Sequence, residues 1–245
     1  MDKDDPGSKQ LDLFRGGPDV KITDLTKSLM RHASKKYSKR SLDKIKMIVV
    51  HCTDRDWTML QLNHYDVQGY LKLADGTTEI NHISSSGLPA ITYHDVIMPD
   101  GKPYHTLPFE EISWHASGYN SKSIAVAMML RVTDEKTKKD TYGPSANHLK
   151  ALQCHLGKRC LEFGLTPDKV VGHRELEGTG YKIDSKGRKR LQKTCPGMQT
   201  DLDLLRTNVA TYMQLVLKMH QHYEGRIDGD FGPKSRAALA KFKKG

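Results

Sequence analysis

The stretch KIKMIVVHCT, residues 44–53, decides the fold of this chain. Its continuous apolar, β-branched run is typical of a strand buried inside a sheet. The run ends at His51, a polar side chain at the end of a strand. Sheets of α/β domains present their functional residues at strand ends. The stretch therefore predicts both a buried central strand and a functional site at its end.

Three further segments predict strands around this one. SIAVAMMLRV, residues 123–132, is a second buried run, and DKVVGH, residues 168–173, is a shorter one. AITYHDVIM, residues 90–98, is followed by the turn PDG and by KPYHTL, which predicts a hairpin. Strands that alternate with helices favour an α/β domain with a central mixed β-sheet flanked by helices, over residues 41–206.

A long helix is predicted between the second and the last of these strands. Ser145 follows Pro144 and is a plausible N-cap. Apolar side chains then recur at the spacing of one helical face, at Leu149, Leu152, Leu156, Cys160 and Phe163.

The flanks of the domain have a different composition. Residues 1–40 predict a loose arm that contains the breakers DPG and GGPD, followed by a basic helix over 23–40 with Thr23 or Asp24 as its N-cap. We expect this helix to pack on the domain through its apolar side chains rather than to touch an anionic membrane. Residues 207–245 predict a helix, tight turns rich in Gly and Asp, and a second helix, which make a small all-α module.

Composition limits the classes of protein that the chain can be. The 245 residues are 37% hydrophobic, which is enough for a packed core, and no apolar run is long enough to span a membrane. The start shows no secretory signal pattern. The net charge of +10 favours an anionic partner, which is nucleic acid, an acidic lipid surface or an acidic cell-wall polymer. No CxxC pair occurs, and without a secretory signal reduced thiols are expected at Cys52, Cys154, Cys160 and Cys195.

Three metal-capable side chains lie at strand or loop ends. They are His51 in VVHCT, His173 in VVGHRE and Cys195 in KTCPG. Two histidines and one cysteine suit zinc, and three protein ligands leave a tetrahedral position open, as in catalytic zinc sites. Strand alternation turns Cys52 away from His51, so Cys52 is excluded as a fellow ligand. Spacing alone is weak evidence, because most histidines are structural or exposed.

Five separated motifs occur in an order that resembles the zinc-dependent N-acetylmuramoyl-L-alanine amidases, a family that includes amidase-type phage lysozymes and the peptidoglycan recognition proteins. The resemblance covers about residues 45–200 and rests on VVHCT, TYHDVIMPDGKPYH, WHASGYNSKSIAVAM, VVGHRE and KTCPG. It implies a mixed sheet flanked by helices, with zinc in a groove on one face. It also implies hydrolysis of the amide between N-acetylmuramic acid and L-alanine.

The resemblance assigns roles to individual side chains. It implies His51, His173 and Cys195 as zinc ligands, and Tyr93 and Lys193 as the catalytic residues. His94 then faces away from the metal, because it follows Tyr93 on a strand. One branch of the family carries a glutamate in the strand SIAVA, where this chain has an alanine, so the tyrosine-type site is the better match.

The groove-wall motif and one carboxylate complete the expected site. SWHASGYN resembles the wall of the family's groove, which implies Trp114, His115 and Asn120 as substrate-binding residues. Glu175 is expected to support a ligand or to pair with Arg174, rather than to touch the substrate.

The combined expectation is a bacteriolytic, antimicrobial zinc hydrolase of the endolysin type. Residues from about 209 onward resemble a common peptidoglycan-binding helical module, which would tether the enzyme to the wall. The expected partner is peptidoglycan, with no nucleic acid, since no reading helix or aromatic platform is present. The chain is expected to be a monomer, made in the cytoplasm and active at the bacterial cell wall. The alternative is a peptidoglycan-binding protein without catalysis, but such relatives tend to lose the cysteine that this chain keeps at position 195.

Overall fold

A six-stranded mixed sheet lies at the centre of the computed structural model, which describes residues 21–134, 137, 139–185 and 187–243. The helices are α1 (Met59–Gln68), α2 (Ala146–Phe163), α3 (Leu202–Met219) and α4 (Pro233–Phe242). The strands are β1 (Thr23–Asp24), β2 (Met47–Cys52), β3 (Tyr70–Lys72), β4 (Thr78–Ile80), β5 (Asp95–Ile97), β6 (Pro103–His105), β7 (Ser123–Met128), β8 (Val170–Gly172), β9 (Tyr181–Ile183) and β10 (Lys189–Leu191).

The strand order of the central sheet is β1-β6-β5-β7-β2-β8. Strand β2 pairs in parallel with both β7 and β8, and β5 pairs in parallel with β7. The predicted hairpin is confirmed, because β5 and β6 pair antiparallel across the PDG turn. The predicted fold class, a central mixed sheet flanked by helices, is therefore confirmed. β3 with β4, and β9 with β10, form two separate hairpins.

The two faces of β2 serve different purposes. Ile48 and Val50 lie in the large hydrophobic cluster that they share with α2 and α3, whereas Val49 belongs to a small cluster with Ala116. Successive side chains of a strand point to opposite faces. His51 therefore faces away from α2 and α3, and the site lies on the other side of the sheet.

Helix α2 begins and ends as its sequence predicts. The Ser145 side chain accepts a hydrogen bond from the His148 N–H at its start. The helix ends at Gly164, whose φ of 64° is the left-handed conformation that glycine adopts at no steric cost.

Helix α3 packs along α2 at a point of close approach. A β-carbon added at Gly157 would lie 2.3 Å from the Cδ1 atom of Tyr212, so only glycine fits there. Helix α3 runs through the predicted boundary between residues 206 and 207, and its buried side chains share the hydrophobic cluster of α2. The predicted helix, turns and helix at the C-terminus are confirmed as elements, and their separation into a module remains a prediction.

The predicted basic helix over residues 23–40 is wrong. Thr23 and Asp24 instead pair with β6 as a short parallel strand. The Asp24 carboxylate then accepts hydrogen bonds from the N–H and hydroxyl of Thr26, a local turn that competes with helix formation. Backbone N–H groups farther along donate to distant carbonyls, such as His32 to Pro89 at 2.9 Å. The arm predicted over residues 1–22 lies almost entirely outside the described residues.

The expected packing of this segment on the domain is confirmed although the helix is not. Leu29 and Tyr37 are buried in the hydrophobic cluster on the α1 side of the sheet. The Tyr37 hydroxyl donates to the carbonyl of Ala90 at 3.0 Å. None of the helices in the described part of the chain has the length and hydrophobicity needed to span a bilayer.

Candidate active site

Three side chains meet at the ends of β2 and β8. His51 lies near the end of β2, His173 directly follows β8, and Cys195 lies in the loop after β10. Their potential ligand atoms all lie within 4.8 Å of one another. The pairing of Val50 with Gly172 places the two histidines side by side. All four cysteines are free, as predicted, and Cys52 is not part of the cluster.

Backbone contacts hold the cysteine against the sheet. The Cys52 N–H donates to the Cys195 Sγ at 3.2 Å, and the Arg174 N–H donates to the Cys195 carbonyl at 2.9 Å. The backbone at Gly180 closely approaches the backbone that follows β8. A β-carbon at Gly180 would lie only 1.9 Å from the carbonyl oxygen of His173. The cysteine is therefore fixed in position by groups that are far from it in sequence.

The cluster fits a zinc ion by its chemistry and by its dimensions. Imidazole nitrogen and thiolate sulfur are the usual zinc ligands, at about 2.0–2.1 Å and about 2.3 Å respectively. At a tetrahedral angle these bond lengths separate a nitrogen from a sulfur by about 3.6 Å. The Cys195 Sγ lies 3.6 Å from the Nδ1 of His51. This nitrogen–sulfur pair is thus already spaced as zinc requires.

The protonation states of the cluster also suit a metal. Burial lowers the pKa of His51, so its imidazole is neutral at pH 7 and has a free lone pair. Burial alone would raise the pKa of Cys195, but hydrogen bonding with Cys52 holds that pKa well below its ordinary value. A neutral imidazole and a thiolate are the forms that bind metal ions.

Tyr93 and Lys193 share one groove with the cluster. The groove has a volume of about 330 Å³, and both residues line it together with His51, His173 and Cys195. The ring centroid of Tyr93 lies 5.4 Å from that of His51. Burial raises the pKa of the Tyr93 hydroxyl well above its ordinary value, so it stays protonated. Lys193 is exposed, and its N–H donates to the Gly180 carbonyl at 3.1 Å.

His94 does not line the groove, as predicted, although it and Tyr93 lie just before β5 and not on it. Its Nδ1 accepts a hydrogen bond from the N–H of Ala125 at 3.0 Å, and its Nε2 lies 2.9 Å from the carbonyl of Glu111. Ala127, at the position of the absent glutamate, is buried and pairs with His51 across β2 and β7.

The predicted substrate-binding residues occupy different places. His115 lines the groove, but it is buried beside His51, with its Nδ1 3.0 Å from the Nε2 of that residue. Trp114 is 43% exposed and lies edge-on to Tyr37, and it does not line the groove. The Asn120 side chain accepts hydrogen bonds from the N–H groups of His115 and Ala116, so it shapes the loop.

Glu175 supports the end of β8 rather than the groove. Its carboxylate accepts the N–H of Gly172 at 2.8 Å and pairs with Arg206 at 3.0 Å. The predicted partner Arg174 instead donates to the carbonyls of Gly197 and Thr200.

Several groove residues carry no clear signal in the sequence. Thr53 and Trp57 line the groove, and the only sequence signal for them was their position shortly after His51. Arg55 also lines it and pairs with Glu79 at 2.7 Å. The remaining polar members that sequence reasoning missed include Asp54, Asp66, His82, Thr92, Thr133 and Thr194.

Asp66 stands out among these residues. It lies on α1, is 3% exposed, and accepts hydrogen bonds from the Thr92 N–H and from the Asn81 side-chain amide. Burial raises its pKa to about 7. A charged residue beside the buried positions Leu62 and Tyr65 of α1 is the one sequence signal that could have identified it.

Two solved structures of peptidoglycan recognition proteins share the fold, and a phage endolysin is also similar. Peptidoglycan recognition protein SD of Drosophila is 16% identical, with a TM-score of 0.52 over 77% of this chain and 94% of that one. Bumblebee peptidoglycan recognition protein SA is 16% identical, with a TM-score of 0.50 over 76% and 94%. The endolysin of a Thermus scotoductus bacteriophage is 21% identical, with a TM-score of 0.49 over 77% and 99%.

No curated protein sequence matches this chain. The N-acetylmuramoyl-L-alanine amidase family matches residues 41–198, a segment that contains every strand and helix that positions the three clustered side chains. This match covers more than half of the chain. The protein therefore belongs to the N-acetylmuramoyl-L-alanine amidase family.

Proposed function

We propose that this protein is a zinc-dependent hydrolase that cleaves the amide bond between N-acetylmuramic acid and L-alanine in peptidoglycan. One observation carries the proposal. The cluster of His51, His173 and Cys195, whose ligand atoms lie within 4.8 Å of one another, lies in the same groove as Tyr93 and Lys193. Membership of the amidase family supports the reaction type.

The metal and Lys193 have different roles in the proposed reaction. His51, His173 and Cys195 would hold a zinc ion, which would supply Lewis acidity in the groove and lower the pKa of water there. Lys193 places an ammonium group at the groove, where it stabilises the negative charge that develops on the carbonyl oxygen. A single well-placed donor of this kind contributes about 3 kcal/mol to transition-state stabilisation.

Tyr93 serves as a hydrogen-bond donor in this scheme. Its raised pKa keeps the hydroxyl protonated through the neutral range. The hydroxyl can therefore orient the attacking water or donate to the tetrahedral oxygen without itself becoming charged.

Mass spectrometry of the soluble products from purified peptidoglycan tests the reaction directly. We expect free stem peptides that begin at L-alanine and glycan strands that remain intact. A chelator should abolish release, and added zinc should restore it. New reducing sugar ends would instead show a glycosidase and overturn the assignment. Binding to the wall without any product would indicate the non-catalytic peptidoglycan-binding protein.

Two substitutions test the roles of the side chains. Lys193→Ala should lower kcat by about 100- to 1,000-fold, since it removes a donor to developing charge. Lys182→Ala is the matched control, because it removes the same charge from exposed strand β9, outside the groove lining. Equal activity of the two variants would exclude Lys193 from catalysis. Tyr93→Phe should lower kcat while the zinc content stays unchanged, and a wild-type rate would remove the hydroxyl from the mechanism.

We further propose that residues 207–245 bind the polymer and that the protein acts as an endolysin at the bacterial cell wall. The support is the helix–turn–helix arrangement of α3 and α4 and the net charge of +10. An inactive Cys195→Ser variant should co-sediment with insoluble peptidoglycan even when excess soluble stem peptide fills the groove. Complete release by that peptide would place all binding in the groove and contradict a second binding site.

A further inference from the structure

We propose that His115 and Ser123 form a buried hydrogen-bond chain that fixes His51 as the Nε2–H tautomer and aims its Nδ1 at the metal position. His115 is then a positioning residue and does not contact substrate. The effect of this hydrogen-bond chain on zinc affinity rests on the zinc site of the proposed function. The hydrogen bonds themselves are a property of the metal-free protein.

The direction of every hydrogen bond in the chain follows from one end. The Ser123 Oγ lies 2.7 Å from the carbonyl oxygen of Tyr119, which can only accept, so the single hydroxyl proton of Ser123 lies between them. The Ser123 Oγ must therefore accept from its other neighbour, the Nε2 of His115 at 3.1 Å. His115 consequently carries its proton on Nε2 and presents a lone pair on Nδ1.

The position of the proton on His51 follows in the same way. The Nδ1 of His115 lies 3.0 Å from the Nε2 of His51. Since that Nδ1 is an acceptor, the Nε2 of His51 must donate a proton to it. A neutral imidazole carries one proton, so the Nδ1 of His51 is left with a free lone pair. This is the atom that lies 3.6 Å from the Cys195 Sγ.

Backbone contacts anchor the hydrogen-bond chain at its Ser123 end. Ser123 pairs with Met47 in the sheet, and its carbonyl accepts a hydrogen bond from the Nη1 of Arg40 at 2.6 Å. The Tyr119 N–H donates to the Ala116 carbonyl at 2.9 Å, which closes the turn that carries the final acceptor. A turn of either imidazole ring would therefore break the hydrogen bonds between Ser123, His115 and His51.

Burial makes the loss of any hydrogen bond in this chain of side chains unfavourable. Ser123 is fully buried, and His51 and His115 are 2% and 7% exposed. Water cannot replace a lost partner at such depth, so an unpaired N–H there loses its hydrogen bond without compensation. A ligand imidazole held by such a partner binds metal more tightly, and loss of the partner typically lowers metal affinity by about 10- to 100-fold.

Zinc titration against a chromogenic chelator measures the consequence. His115→Ala should weaken zinc binding by about 10- to 100-fold. His115→Asn should recover most of this loss, because its side-chain oxygen can accept the His51 proton. His148→Ala is the control, since it removes another buried imidazole from α2, outside the groove lining, and should leave zinc affinity unchanged. A folded His115→Ala protein that binds zinc within twofold of wild type would overturn the proposal.

Long-range proton–nitrogen NMR of the metal-free wild-type protein tests the chain without any substitution. We expect both His51 and His115 as Nε2–H tautomers, with an exchange-protected proton on the Nε2 of His51. A proton on the Nδ1 of either ring would refute the inference. If wild-type protein instead fails to bind zinc at all, the proposed function is contradicted, while the tautomers still decide this inference.

Discussion

The buried carboxyl of Asp66 should make the protein less stable as the pH rises from 5 to 8. Two neutral donors, the Thr92 N–H at 2.8 Å and the Asn81 amide at 3.1 Å, do not compensate for its burial. Its pKa is therefore raised from an ordinary 3.8 to about 7 in the folded protein. This residue lies in the groove, so the penalty falls on the candidate active site itself.

The magnitude follows from the difference in pKa between the two states. Below about pH 4 the group is protonated in the folded and the unfolded protein, and its favourable effect is fully present. As the pH rises, the unfolded chain releases the proton first, so stability falls until the pH exceeds the folded pKa. Each pKa unit corresponds to about 1.4 kcal/mol, which gives about 4 kcal/mol in total and about 3 kcal/mol between pH 5 and 8.

Urea denaturation of the wild type and of Asp66→Asn at pH 5 and 8, both with excess chelator, measures this effect. The free energy of unfolding of the wild type should fall by about 3 kcal/mol more than that of the variant. The constant cost of the changed contact with Asn81 cancels in this comparison. Asp75→Asn is the control, because the pKa of this exposed carboxyl is lowered by hydrogen bonds from Thr77 and it is ionised throughout. An equal pH dependence of the wild type and Asp66→Asn would refute the reasoning.

Three further outcomes test the packing and the metal site. Gly157→Ala should lower the free energy of unfolding by about 1–2 kcal/mol in urea, because the clash with Tyr212 outweighs the gain in helix propensity. In a Tyr212→Ala background the same substitution should stabilise the protein. Gln214→Leu should cost at least about 2 kcal/mol in thermal unfolding, because the buried amide bonds to the turn before α4; an unchanged Tm would contradict this role. Cys195→Ser should lose zinc on dialysis, whereas Cys154→Ser on α2 should retain one equivalent by elemental analysis.

Much of the fold could be predicted because its signals are local. The apolar run that ends at His51 is buried in the sheet on both faces, and a run of that kind has few alternatives to a central strand. Helix α2 likewise has an N-cap at Ser145 and apolar residues at helical spacing, and both signals lie within the helix segment itself. Chain order and motif content also predicted which three side chains would cluster, since each lies at the end of a strand or in a loop.

The segment over residues 23–40 shows where local signals fail. Its composition suits a helix, but its backbone forms hydrogen bonds with residues far along the chain, such as Leu25 with His105. Burial of Leu29 and Tyr37 against the sheet outweighs a helical propensity that amounts to a few tenths of a kcal/mol per residue.

The residue types of the site were determined by the sequence, and the atoms that meet were decided by the tertiary structure. His115 was readable as part of the groove, but its partner His51 is 64 positions away, and no periodicity reports which ring nitrogen faces which. Asp66 reveals its raised pKa only when α1 buries it. Periodicity records how a residue lies relative to its own element, whereas hydrogen-bond direction, burial and pKa depend on elements brought together by folding. That physical difference separates what could be predicted here from what could not.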